Sequence, residues 1–170
     1  MKVNITHLPP RAVLYARATG PYAKGAEAAW RQLLDWLTER DRQHDVVAGY
    51  GWFRDDPAKT NPFLQRYDAC IELLAGISSD FRAGIGRQTL PGGHYLVHVP
   101  ALNQKSDPRQ SGASAYGMLA DVNIAVDTER SMLERVTLDA KSGVWTPSPQ
   151  VLVPVTSPNP LSMDTGRRVA

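Results

Sequence analysis

Cysteine occurs once in the 170 residues, at Cys70. A single cysteine closes no intrachain disulfide and has no second thiolate with which to hold a structural zinc, so a reducing compartment, the cytoplasm, is expected. Long apolar runs are also missing. No stretch of about 18 apolar residues is available to span a bilayer, and Met1 to Pro10 has neither an apolar segment nor a small-residue cleavage site, so neither export nor membrane anchoring is expected. Net charge is scarce too: the formal value is +2, and no basic run is longer than Arg167-Arg168. Such a weak field argues against direct nucleic-acid binding. The histidines do not gather into a metal site, because His94 and His98 lie four apart in an expected strand, which spreads their side chains too far for one ion. Gly84-Ile85-Gly86 leads into an expected strand and not a helix, so it presents no helix N-terminus to a phosphate. No nucleotide or other cofactor is expected.

The remainder is the composition of an ordinary globular chain, 42% hydrophobic and 21% charged, long enough for one compact domain or two small repeats. The clearest periodicity lies in Tyr22 to Arg40, where Ala26, Ala29, Trp30, Leu33, Leu34 and Leu37 form one stripe of an amphipathic helix. Glu27, Arg31 and Asp35 lie on its polar side, and Trp36 sits at the edge of the stripe. Strands are expected at Ala12 to Ala18, Val46 to Phe53, Arg66 to Leu74, Ile85 to Leu90 and His94 to Val99, with Pro91-Gly92-Gly93 as a turn. The second half is less regular: a short helix is expected at Ala113 to Leu119 and strands at Arg130 to Thr137 and Gln150 to Val155. A domain over 1–156 is expected to be followed by a flexible tail, 157–170.

Four segments, Thr19-Gly20-Pro21-Tyr22, Gly49 to Pro57 (GYGWFRDDP), Arg66 to Glu72 (RYDACIE) and Pro91-Gly92-Gly93-His94-Tyr95, resemble landmarks of the GyrI-like family, in order and at similar spacing. The resemblance implies an α+β fold of two pseudo-repeated strand-helix-strand-strand units. Together they would form a curved, mostly antiparallel sheet with helices on one face and a ligand cleft between the halves. With no room before Ala12 for a helix-turn-helix, a standalone member is expected, not a transcription factor. Such members include a DNA gyrase modulator and hydrolases of cyclopropane-bearing alkylating natural products. The second half departs from the family pattern: Val136 stands where a tyrosine is usual, and Gln150 where a ligand-facing glutamate is usual before the closing strand. That substitution weakens the expectation of a preference for cations.

A cleft for greasy molecules needs aromatic walls and a few converging polar groups. Tyr50 and Trp52 share one face of a strand at two-residue spacing, with Tyr67 and Tyr95 expected on neighbouring strands. These four, with Trp36, Glu134 and Gln150, are the candidate ligand-binding residues, set against plain core packing of the aromatics. Glu134 is the acidic candidate, able to orient or deprotonate a water if the protein is a hydrolase; the alternative is a surface ion pair with Arg130 or Arg135. Asp68 is read as a structural brace of the Asp55-Asp56-Pro57 loop, and Cys70 as a buried small hydrophobe. The expected function is therefore binding of a lipophilic or aromatic small molecule, to sequester or sense it. Cofactor-free hydrolysis is the alternative, and a protein partner such as DNA gyrase a third.

Overall fold

In the computed structural model the described residues are 4–74, 76, 78–99, 124–139, 142 and 144–157. They form strands β1 (Ile5–Leu8), β2 (Arg11–Thr19), β3 (Val46–Phe53), β4 (Arg66–Leu73), β5 (Gly86–Leu90), β6 (Gly93–His98), β7 (Leu133–Asp139) and β8 (Val144–Val155), with helix α1 (Tyr22–Glu39) between β2 and β3. All eight strands make one sheet in the order β1-β6-β8-β7-β3-β4-β2-β5, and every pairing is antiparallel.

That order reads as two mirrored halves. In the first, β4 lies between β3 and β2; in the second, β8 lies between β7 and β6; the halves join through β3 and β7. In each half the last strand in sequence inserts between the other two: β4 between β2 and β3, and β8 between β6 and β7. The helix expected at 113–119 lies outside the described residues, as does the expected tail from 158 onward.

The sheet is strongly curled. Six strand spacings separate β1 from β2 in the order, which would be about 29 Å in a flat sheet at about 4.8 Å each. Yet only Pro9 and Pro10 link them, and the step from Leu8 to Arg11 spans at most about 10 Å. The β5–β6 link makes the same crossing beside it, so closely that a Cβ on Gly92 would lie 2.6 Å from Pro10 Cδ. Pro91-Gly92-Gly93 is therefore a strap closing the curl and not a hairpin turn, because the strands it joins sit at opposite ends of the sheet. Arg130 secures the strap, donating to the carbonyls of Gly92 (3.2 Å), His94 (3.1 Å) and Val155 (2.8 Å).

Inside the curl, each strand contributes an apolar side chain to one cluster, among them Leu8, Val13, Trp52, Cys70, Leu90, Tyr95, Leu133 and Leu152. Helix α1 packs on the outer face, burying Ala29, Trp30, Leu33 and Leu37 against Leu14, Ala16, Ala69 and Ile71. The stripe seen in the sequence is thus the buried one, and at about 25 cal/mol per Å² its burial is the main force holding the helix to the sheet.

The first three family landmarks converge at one corner. Gly20, at φ +138°, turns the chain into the helix and donates its N–H to Gln65 O at 2.8 Å. The Tyr22 hydroxyl donates to Asp55 O and accepts from Asp55 N at 3.1 Å. Arg66 clasps the Asp55 carboxylate through Nε (3.0 Å) and Nη2 (2.7 Å), which lowers the pKa of that acid. Asp55 and Arg66, not Asp68, therefore brace the loop. Asp68 is wholly buried and instead accepts from Arg17 Nε (2.7 Å) and Nη2 (2.9 Å) and from Gln88 (2.9 Å).

Candidate functional site

In β3 the residues alternate Gly49, Tyr50, Gly51, Trp52, Phe53. Tyr50 and Trp52 face into the curl, as the two-residue spacing requires, so Gly49 and Gly51 face the helix side. Glycine inside a strand marks a close approach. A Cβ on Gly51 would lie 2.6 Å from Glu134 Oε1 and closer still to the Tyr67 hydroxyl, and one on Gly49 would lie 3.4 Å from the Trp30 ring. Three strands and the helix thus meet above a deliberate gap in the side-chain layer.

The groups that fill this gap form a chain of donors. Trp30 Nε1 donates to the Tyr67 hydroxyl at 2.9 Å, and that hydroxyl donates to Glu134 Oε1 at 2.7 Å. Glu134 is 8% exposed, Tyr67 1% and Trp30 0%. Among the described residues no cation pairs with Glu134. Its pKa is pushed up to about 7, because burial penalises the carboxylate more than the Tyr67 hydrogen bond favours it. The Tyr67 hydroxyl is raised well above its ordinary value, by burial first and by the Glu134 charge second. Around them lie Phe53, edge-on to Tyr67 at 5.4 Å, and Trp145, stacked on Trp30 at 5.4 Å and 24°. A carboxyl with a pKa near neutrality, against rings and without a counter-ion, can attract a cation or exchange a proton with a substrate.

Glu134 is therefore no surface ion pair. Arg130 instead binds Asp127 (2.8 Å), and Arg135, the next residue along β7, faces the opposite side of the sheet. Of the seven candidate residues, only Tyr67 and Glu134 touch each other in this cluster. Tyr50 and Gln150 line a separate hollow of about 680 Å³ on the inner side. Trp52 packs inside the curl beneath the Arg54 guanidinium (3.9 Å). Tyr95 is on β6, far from β3 in the strand order, and donates to Pro91 O at 2.8 Å. Trp36 donates to Asp80 at 3.0 Å near the end of α1. Trp30 and Trp145 were not among the candidates: Trp30 reads as core from the helical stripe, and Trp145 sits in a proline-bearing stretch. The readable signal for both was the glycine alternation in β3, which calls for large side chains arriving from elsewhere.

Cys70 is wholly buried, and burial raises its thiol pKa, so the thiolate is suppressed. No cluster of three or more His, Cys, Asp or Glu able to hold a metal exists among the described residues, and no helix among them is long and apolar enough to cross a membrane.

The described residues form an α+β class of fold, an antiparallel sheet of two mirrored halves with a helix on its outer face. The chain belongs to the GyrI-like small molecule binding domain family, whose model matches residues 1–100. Its fold is similar to the C-terminal domain of EcmrR (TM-score 0.59, 11% identity, 91% of this chain and 97% of that one). It is also similar to SAV2435 bound to tetraphenylphosphonium (TM-score 0.54, 14% identity, 97% and 98%). A third similar structure is a hydrolase encoded by lin2189 from Listeria innocua (TM-score 0.51, 12% identity, 91% and 92%). No curated protein matches the sequence.

Proposed function

We propose that this protein binds a lipophilic aromatic molecule, held best when the guest is cationic, in a cleft at the seam of the two halves, with Glu134 as the charged contact. One observation carries the reading: Glu134 is buried among rings, tied to Tyr67 at 2.7 Å, and has no basic partner among the described residues. Burying a carboxylate without a counter-ion costs several kcal/mol, and a cationic guest recovers that cost on binding. Tetraphenylphosphonium on SAV2435, of the same fold, supports this class of guest. Sequestering or sensing a toxic compound follows from reversible capture without cofactor chemistry.

The test is calorimetric titration of tetraphenylphosphonium into the wild type and Glu134→Gln above neutral pH. The expected result is saturable binding that weakens at least about tenfold in the variant, equivalent to about 1.4 kcal/mol. Absence of binding to the wild type overturns the reading.

A second reading, hydrolysis of a strained electrophile, draws on the Glu134 pKa of about 7, suited to passing a proton at neutral pH. It requires that a cyclopropane-bearing alkylator be consumed by the wild type and spared by Glu134→Gln.

A further inference from the structure

The inner side of the β3–β7 seam carries a hollow of the opposite polarity. Tyr50 and Arg135 face each other across the seam one residue from the Gly51 and Glu134 pair, and so project to the other side of the sheet. A bulge opens the space beside them: Glu134 pairs with Val151 of β8, but Val136 pairs with Pro147, so β8 carries three residues, 148–150, against the single Arg135. Bulges of this kind re-aim side chains and interrupt the ladder next to sites. The hollow that results, about 680 Å³, takes Arg11 from β2, Tyr50 from β3, Arg135 from β7 and Gln150 from β8 into its walls.

Its charge is one-sided. Arg11 and Arg135 line it, with His44 at its rim, and no described carboxylate does. Glu72, just outside, pairs with Arg11 at 2.7 Å and holds that guanidinium charged. Arg135 has no ion pair among the described residues, and its Nε, like that of Arg11, is shut off from solvent without a hydrogen-bond partner. An unpartnered guanidinium nitrogen is costly to bury, and a carboxylate or sulfonate accepts from such a donor at the short range of a charge-assisted bond. The rest of the wall is mixed: Leu8, Ala48 and the Tyr50 ring, all of the inner cluster, give it an apolar side, and Gln43, Thr137 and Gln150 add neutral polar groups. We infer that this hollow is a second binding site, taking an amphiphilic anion, an aromatic or aliphatic carboxylate or sulfonate, with Arg135 as its principal charged contact.

The site is independent of the Glu134 reading, because Glu134 and Arg135, adjacent on β7, project to opposite faces, and the test separates them. Titration of 2-naphthoate into the full chain is expected to give one saturable site, weakened at least about tenfold in Arg135→Gln and unchanged in Glu134→Gln. Tetraphenylphosphonium should respond the other way round. No binding of naphthoate by the wild type, or equal binding by a folded Arg135→Gln, overturns the inference. Should Arg135→Gln not fold, wild-type crystals soaked in 6-bromo-2-naphthoate decide it: bromine signal among Tyr50, Arg135 and Gln150 supports the site, and bromine elsewhere or nowhere overturns it.

Discussion

At the scale of single residues, Glu134 carries a pH response opposite in sign to that of the ion-paired acids Asp55 and Asp127, whose pKa values are lowered. Its pKa in the fold, about 7, lies above the ordinary value of 4.5, so between those limits the folded state holds a proton that the unfolded state has lost. The Glu134 contribution to stability therefore falls as pH rises from the lower value to the higher and is flat beyond it, by on the order of 3 kcal/mol in all. Glu134→Gln, which keeps an acceptor for Tyr67, should abolish that fall and raise the melting temperature above neutral pH, as thermal denaturation across pH will show. Tyr67→Phe removes the hydrogen bond that favours the carboxylate, so the Glu134 pKa should move up further, readable from the side-chain carboxyl carbon by NMR. A downward shift would mean that the hydroxyl disfavours the ionised acid.

At the scale of elements, the paired glycines of β3 make room for the Trp30, Tyr67 and Glu134 cluster on which the proposed site rests. Gly51→Ala pushes a methyl into Tyr67 and Glu134, and should cost about 1–3 kcal/mol in urea denaturation while disrupting guest binding. Helix α1 and β2 to β6 were legible in the sequence, because a helical stripe and alternating apolar residues between turns leave little choice of period. What was not legible has physical reasons. Strand β1 is only four residues long and runs into two prolines, so it carries no periodic signal. The first half of β8 reads as loop because Pro147 and Pro149 fall within it; the bulge opposite Arg135 accommodates Pro149, and Pro147 lies where β6 does not pair with β8. The Tyr50 and Trp52 face was readable from spacing alone, but not that Tyr67 points to the other face, since side depends on register with β3. The partner of Glu134 was equally hidden, lying 67 residues away on a strand two places over in the sheet.

At the scale of the whole molecule, two mirrored halves and a closing strap account for the curl of the sheet, and the proposed binding site falls at their seam. Arg130 is the strap's fastening, with a side chain only 14% exposed and three carbonyls beneath it. Arg130→Ala strands those acceptors and the Asp127 carboxylate, and should lower stability by about 3 kcal/mol in denaturant titration, with no change in the Glu134 pKa. An effect on Glu134 would mean that the closure and the seam are coupled.

The most direct test of the central claim is the affinity of a lipophilic aromatic cation measured by calorimetry on both sides of the Glu134 pKa of about 7. If the ionised acid is the charged contact, binding should be about tenfold tighter at about pH 8 than at about pH 6, the ratio of the ionised fractions, and the difference should vanish in Glu134→Gln. An affinity that does not change with pH, or a pH dependence that survives the substitution, would rule out Glu134 as the charged contact.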